Sequence, residues 1–347
     1  MRIWDFSRSA LSSCVAAALL AGCGGSQPPI GAPRAMPQSS AAENARAASS
    51  SGDTLIYAFE NITGGHGFIF AYPSGKLVDY AETPGLSPLS ACSDANGDVF
   101  VGGSSYSEAG YIAEYTFGAT SPSATVTLGA GEGVRSCSVD SVTGSVAAIV
   151  RHSAGSYYIA VLPGFQAPGQ SYNYSGMATF VSIAYDGSGN LFLLGTSISG
   201  KQYYLAELAN GAGSFEPVSF DLGRHIAQVR TLQWDGTYLT VEATYDNGLK
   251  RSKNWPQRVY RLSISGSSAT LVGTVHFDKL RGFDYGTSWI QPDRGIMLFA
   301  RNYYGIWNYP AGGRRLEKLP TGARRDGLQP YIATVAAPAS GSQIHGH

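Results

Sequence analysis

The chain repeats one phrase about every 47 residues: a short apolar strand, an aspartate-containing turn and a second apolar strand. The aspartates of these turns are Asp94, Asp140, Asp186 and Asp235. Apolar and polar residues alternate in the flanking segments, as they do in β-strands, and the turns are rich in Gly, Ser, Asn and Asp. Because no helical apolar stripe accompanies this repeat, the sequence predicts an all-β fold of the β-propeller class.

A second repeated phrase, a short strand ending in an aromatic residue or Leu, indicates the number of blades. Its copies end at Tyr72, Tyr115, Leu162, Leu208, Leu262 and Tyr309. The first blade begins at Thr54 without a preceding strand, whereas a surplus strand follows the last copy at residues 327–337. We therefore predict a six-bladed propeller over residues 53–338, closed by the C-terminal strand, and a flexible tail over 339–347. Closure of this kind removes open sheet edges.

The same register places the innermost strand of each blade just before its turn. The expected inner strands are residues 88–94, 135–140, 181–186, 230–235, 281–284 and 329–335.

The N-terminus has the features of a secretory signal. Arg2 and Arg8 precede an apolar run over residues 10–21, which ends in Leu-Ala-Gly-Cys at Cys23. About 12 apolar residues are too few to span a bilayer, which needs about 20. The Leu-Ala-Gly-Cys tail resembles the bacterial lipobox, which implies cleavage before Cys23 and lipid attachment to its sulfur. We predict a lipoprotein signal peptide over residues 1–22; the alternative is an ordinary signal peptide with an incidental cysteine.

Residues 23–52 have the composition of a disordered linker. They are rich in Gly, Ser, Pro, Ala and Gln, and such a segment cannot bury enough apolar surface to fold. We expect an exported domain tethered to the bacterial membrane through Cys23, in the periplasm or at the cell surface. Gly24 rather than Asp follows the cysteine, and by resemblance to proteobacterial lipoproteins this favours the outer membrane.

The charge and composition of the chain argue against nucleic acid as a binding partner. The formal net charge is 0 and charged residues make up 14% of the chain, so no broad basic surface is available for nucleic acid. We expect a monomer that does not bind nucleic acid.

Two cysteines remain once Cys14 has left with the signal and Cys23 has taken the lipid. Cys92 and Cys137 fall on the expected inner strands of adjacent blades and point to opposite faces of equivalent strands. This arrangement suits a disulfide between neighbouring blades in an oxidising compartment. The alternative is two separately buried thiols, and no zinc-type ligand spacing accompanies them.

The turn that begins at Asp94 resembles a calcium loop, because oxygen-bearing side chains stand at alternate positions up to Asp98. The equivalent turns at Asp186 and Asp235 lack most of these ligands. We therefore interpret the aspartates as closing Asx-type turns and expect no cofactor, with one divalent metal such as calcium as the alternative.

Three arginines share one register of the repeat. Arg135, Arg230 and Arg281 each stand five residues before the turn position, where the chain enters the inner strand. They should converge at one mouth of the central channel, beside His225 and Gln329, and guanidinium groups there suit a carboxylate, phosphate or sugar acid. In the alternative interpretation the arginines hold blade to blade by pairing with strand-end carbonyls or with the acidic residues Glu132, Asp278 and Asp326.

The phrases SDANGDVFV at residues 93–101 and YDGSGNLFLLG at 185–195 resemble NHL-type repeats and the six-bladed SMP-30 and gluconolactonase family. That family holds a divalent metal in the channel. Its Glu-Gly-Pro segment is absent here and Glu60-Asn61-Ile62 does not match it, so no metal ligand can be assigned from the resemblance. The phrase YPSGKLV also resembles uncharacterised exported bacterial propeller lipoproteins.

These features favour a non-enzymatic, membrane-anchored propeller that binds a small anionic ligand, a glycan or a protein partner. The alternative is a metal-dependent lactonase or other hydrolase of the SMP-30 type. The chain contains neither a GxSxG nucleophile elbow nor an HExxH metal motif.

Overall fold

The computed structural model describes residues 54–60, 66–83, 85–105, 109–223, 226–245, 256–281, 288–291, 295–300, 303–319 and 330–337. The predicted signal peptide, Cys23, the linker, His225, Gln329 and the tail lie outside the described residues. No helix within these ranges has the length and hydropathy required to cross a membrane.

The described residues contain 24 strands and one short 3-10 turn at Pro163–Phe165. The first twelve are β1 (Thr54–Glu60), β2 (Gly67–Tyr72), β3 (Leu77–Ala81), β4 (Leu86–Ser93), β5 (Val99–Ser105), β6 (Ala109–Tyr115), β7 (Ala124–Ala130), β8 (Glu132–Val139), β9 (Val146–His152), β10 (Tyr157–Leu162), β11 (Gln170–Tyr172) and β12 (Thr179–Tyr185). The others are β13 (Leu191–Thr196), β14 (Tyr203–Leu208), β15 (Glu216–Phe220), β16 (Ile226–Trp234), β17 (Leu239–Tyr245), β18 (Pro256–Ser265), β19 (Ser268–Arg281), β20 (Trp289–Gln291), β21 (Gly295–Ala300), β22 (Tyr303–Asn308), β23 (Gly312–Leu319) and β24 (Pro330–Ala336).

Within the described part of the chain these strands make six four-stranded antiparallel blades. Blade 1 has the order β24-β1-β2-β3, and blades 2 to 6 each use four consecutive strands, beginning with β4, β8, β12, β16 and β20. In blade 1 the C-terminal strand pairs with the N-terminal one, so that Ile56 faces Val335 and Ala58 faces Ala333. The predicted closure by the C-terminal strand is confirmed.

The innermost strands form a closed ring. β24, β4, β8, β12, β16 and β20 contact one another in this order, and β20 contacts β24 again. The architecture is therefore a six-bladed β-propeller, as the repeat predicts.

The core lies between the blades, because each sheet has two faces and each face packs on a neighbouring blade. The buried apolar residues divide into clusters that each join adjacent blades. Phe192 of blade 4 packs with Tyr260 of blade 5, for example, and Ile306 of blade 6 packs with Phe68 and Val335 of blade 1. This last cluster gives the junction of the two chain ends an apolar core.

The prediction of an inner strand at residues 281–284 is wrong for Arg281, and residues 282–284 lie outside the described part of the chain. Arg281 is the last residue of β19, the outer strand of blade 5, and lies opposite Pro256 of β18. β19 is 14 residues long and also pairs in parallel with β15 and β23, which ties the outer edges of blades 4, 5 and 6 together. The inner strand of blade 6 begins further along the chain, at Trp289.

Candidate functional site

The register that contains the arginines is a β-bulge in the inner strands. Pairing of the inner strand with its neighbour shifts at Leu89, Arg135 and Val181, and across Arg230 and Thr231. A bulge leaves one residue out of the ladder and redirects its side chain. Arg135 and Arg230 thus occupy equivalent positions, as predicted, whereas Arg281 does not share them.

Arg135 lies beside a second arginine, which is not among the predicted site residues. Arg151, on the adjacent strand β9, lies opposite Gly133, and its guanidinium is 6.0 Å from the centre of the Tyr157 ring. The Arg135 residue is exposed, but partial desolvation of its guanidinium lowers its pKa, the positive charge of Arg151 lowers it further, and Tyr157 acts in the opposite direction. Two guanidinium groups and one aromatic ring therefore lie close together at the end of the inner strand where a channel mouth is predicted.

The carboxylate nearest in sequence to Arg135 is engaged elsewhere. Glu132 is buried and accepts hydrogen bonds from the amide of Gly129 at 2.6 Å and from the hydroxyl of Tyr158 at 3.0 Å. Its other oxygen lies 3.3 Å from Nε2 of His152. Among the described residues, neither Arg135 nor Arg151 forms a salt bridge with a carboxylate, whereas Arg261 does so with Asp235.

The other residues predicted for the channel mouth are not shown to join the cluster of Arg135, Arg151 and Tyr157. Arg230 is half-buried on β16, and its position repeats that of Arg135. Arg281 lies on an outer strand, and His225 and Gln329 are outside the described residues.

At the opposite end of the inner strands, the aspartates close turns. Oδ1 of Asp94 accepts the amides of Asn96 and Asp98 at 2.9 and 2.8 Å, and Oδ1 of Asp186 accepts those of Ser188 and Asn190 at 2.8 and 2.9 Å. Glycines with positive φ complete both turns, at Gly97 and Gly189. The interpretation of these motifs as Asx-type turns is confirmed. The part of the chain that the structure describes contains no cluster of three or more His, Cys, Asp or Glu side chains arranged to hold a metal ion.

Links between neighbouring inner strands surround the channel at this end. Cys92 of β4 and Cys137 of β8 form a disulfide with a Cα–Cα distance of 5.8 Å. Elsewhere in the ring, side chains bond to the backbone of the next strand: Ser138 Oγ accepts the amide of Tyr185 at 3.0 Å, and Ser182 Oγ accepts that of Leu232 at 3.0 Å.

A central cavity of about 190 Å³ lies beside these links, lined by residues of the inner strands. Its wall includes the disulfide, Trp234 and Trp289. These tryptophans are not among the predicted site residues. The repeat nevertheless contains a signal for Trp234, because the residues directly before the four turn aspartates all line the cavity. They are Ser93, Val139, Tyr185 and Trp234.

A second, larger cavity lies on the same face between blades 3 and 4. This blade 3–4 cleft has a volume of about 440 Å³, and Tyr172, Tyr185, Gln170, Asn210 and Asp140 are among the residues that line it. Tyr185 lines the central cavity as well, so one side chain forms part of both walls. Burial raises the pKa of Tyr185, and the charge of Asp140 and then Tyr172 add to this effect, which keeps the phenol protonated.

Comparison with known proteins supports the fold and no finer assignment. No family model and no curated protein matches the chain. Among solved structures, a protein of unknown function from Bacteroides caccae is 11% identical, with a TM-score of 0.50 over 82% of this chain and 98% of its own. The β-propeller domain of Cps50 (Swd1) from Myceliophteria thermophila is also 11% identical, with a TM-score of 0.50 over 78% of this chain and 84% of its own.

The periplasmic gluconolactonase PpgL of Pseudomonas aeruginosa is a further structural neighbour. It is 13% identical, with a TM-score of 0.49 over 82% of this chain and 99% of its own. The two likenesses with a TM-score of 0.50, at 11% identity, support the propeller fold alone.

Proposed function

We propose that this protein is an exported, lipid-anchored propeller that binds a small anionic molecule at its channel mouth without chemically altering it. The observation that carries the proposal is the pair Arg135 and Arg151, two neighbouring guanidinium groups with no carboxylate partner among the described residues.

The electrostatics of this pair favour an anion. Each positively charged guanidinium group raises the electrostatic potential at the other, which lowers the pKa of Arg135. An anionic group between them removes the repulsion and accepts charge-assisted hydrogen bonds. Tyr157, which lies near both arginines, supplies an apolar surface for the rest of the ligand.

The anchor belongs to the same proposal. The lipobox-like sequence ending at Cys23 and the linker over residues 23–52 favour a lipoprotein at the bacterial membrane, with the propeller in the periplasm or at the cell surface. The disulfide between Cys92 and Cys137 supports export, because structural disulfides persist in oxidising compartments.

Ligand binding can be measured by calorimetry of the purified protein with phosphate, citrate and glucuronate at low and high salt. We expect the variants Arg135→Ala and Arg151→Ala to weaken binding by about tenfold each, since a hydrogen bond to a charged group contributes about 1.5–3 kcal/mol. The matched control is Arg314→Ala, because Arg314 is an exposed arginine on the outer strand β23. Equal affinity in all three variants would contradict the assignment, and turnover of a lactone by the purified protein would contradict a non-enzymatic role.

Anchoring can be measured independently by metabolic labelling with a radioactive fatty acid. The native chain should incorporate label and sediment with membranes, whereas Cys23→Ser should do neither. Label that persists in Cys23→Ser would contradict attachment at this cysteine, and this outcome has no bearing on the anion site.

A further inference from the structure

We propose that the face formed by the aspartate turns binds a neutral oligosaccharide, which occupies the central cavity and the blade 3–4 cleft together. This site lies at the end of the inner strands opposite the arginine mouth and is independent of the anion proposal.

The two cavities share Tyr185 in their walls, and aromatic rings line both of them. Trp234 and Trp289 line the central cavity, Tyr172 lines the cleft, and Tyr185 lines both. The faces of sugar rings carry C–H groups that pack on aromatic rings, while the ring hydroxyls remain available for hydrogen bonds. The cleft alone, at about 440 Å³, has the size of a small-molecule site. A saccharide chain that crosses Tyr185 contacts rings on both sides of it.

The cleft also presents oriented polar groups with unused hydrogen-bonding capacity. Gln170 Oε1 accepts the hydroxyl of Tyr172 at 2.5 Å, and Asn210 Nδ2 donates to the carbonyl oxygen of Ser188 at 3.2 Å, so both amides are held in one orientation. Within the described ranges no protein partner is found for Gln170 Nε2, Asn210 Oδ1 or the Tyr185 hydroxyl. One of these atoms donates, one accepts and one does both, which suits hydroxyl groups on adjacent sugar carbons.

The charges on this face exclude an anion and admit a neutral molecule. The described residues that line the two cavities include no Lys, Arg or His. Their carboxylates are Asp140 and Asp186, and both are already bonded within turns, Asp140 to the amide of Val142 at 2.9 Å and to the Thr143 hydroxyl at 2.6 Å. A phosphate or uronic acid here meets negative charge and no counter-charge.

The test uses the full chain on an array of neutral di- to tetrasaccharides of glucose, galactose, mannose and N-acetylglucosamine, followed by calorimetry of the sugars that bind. We expect Gln170→Ala and Tyr185→Phe to weaken binding by about tenfold, because each removes a hydrogen-bonding group and leaves the strands in place. Gln202→Ala is a matched control: Tyr204 donates to Gln202 Oε1 at 2.8 Å in the same Tyr–Gln arrangement, outside both cavities. It should change the affinity less than twofold.

Thermal unfolding of each variant shows whether it remains folded, and Arg135→Ala separates the two sites. Saccharide binding that survives in Arg135→Ala and at high salt, and that is lost in the cleft variants, supports the proposal whatever the outcome at the arginine mouth. The absence of binding to every neutral sugar, binding restricted to acidic sugars or to peptides, or equal losses in Gln170→Ala and Gln202→Ala overturns it.

Discussion

The hydroxyl of Ser93 donates a hydrogen bond of 2.8 Å to the carbonyl oxygen of Val335, 242 residues further along the chain. Ser93 ends the inner strand of blade 2, and Val335 lies on the C-terminal strand that completes blade 1. This bond therefore joins the closing strand to the next blade of the ring. It stabilises the closed ring through a contact between blades 1 and 2, in addition to the backbone ladder that pairs β24 with β1.

Substitution of Ser93 should weaken ring closure measurably. We expect Ser93→Ala to lower the free energy of unfolding by about 1 kcal/mol, the usual net contribution of one such hydrogen bond. Urea unfolding followed by tryptophan fluorescence measures the change. Ser199→Ala, in an exposed turn, should be nearly neutral by comparison. If both substitutions give the same loss, Ser93 has no special role in closure.

Reduction of the disulfide should destabilise the folded domain. The bridge between Cys92 and Cys137 closes a loop with a sequence separation of 45, for which chain entropy predicts a stabilisation of about 4 kcal/mol. We expect a reducing agent to lower the thermal unfolding temperature of the native protein. The double variant Cys92→Ala, Cys137→Ala should start lower and not respond to the reductant. A native protein that is insensitive to reduction would show that the bridge contributes little.

Acid should weaken the junction of blades 5 and 6 through Asp235. Burial alone raises the pKa of this carboxyl group, but hydrogen bonds from the hydroxyl of Tyr309 and from the amides of Tyr238 and Thr237 outweigh it. Arg261 adds an ion pair at 2.9 Å, and the pKa of Asp235 lies below its ordinary value. A lowered folded pKa stabilises the protein above the unfolded pKa, about 3.9, and this stabilisation is lost as pH falls through the folded value.

Asp235→Asn provides the measurement. This variant should be less stable than the native protein at pH 7, and the difference should shrink as the pH is lowered from 5 to 2 in urea unfolding experiments. Asp221→Asn, at an exposed aspartate of an outer loop, should follow the native curve throughout. A constant difference between Asp235→Asn and the native protein at every pH would rule out the proposed linkage.

A methyl group at Gly102 should force blades 2 and 3 apart. A Cβ atom at this position in β5 would lie 2.6 Å from Ser90 Oγ and would overlap the side chain of Val134 in the neighbouring blade. We expect Gly102→Ala to cost about 1–3 kcal/mol, the usual range for overpacking. Gly273→Ala is the matched strand variant, because its nearest neighbour would be Arg261 Cδ at 3.8 Å. Equal stability of the two variants would mean that the interface adjusts without cost.

The register of the repeat predicts the local features of the site. It does not predict the features that depend on pairing between strands. The position five residues before the turn aspartate is recognisable in the sequence, and the structure shows a bulge there at Arg135 and Arg230. Arg281 is misplaced by the same rule, because it ends the 14-residue outer strand β19, whose length and parallel pairing with β15 and β23 no local sequence pattern indicates. Arg151 is missed for a related reason: its proximity to Arg135 follows from the pairing of β8 with β9.

The order of strands, the number of blades and the closing role of the C-terminal segment follow from periodicity and turn chemistry, which are properties of short stretches of chain and can be read in order along the sequence. The proximity of the Arg135 and Arg151 guanidinium groups depends on the pairing of β8 with β9 within blade 3. The cavities and the shared wall at Tyr185 arise where side chains from different blades meet. Their positions depend on how neighbouring sheets pack, and packing is set by contacts between residues that lie far apart in the sequence.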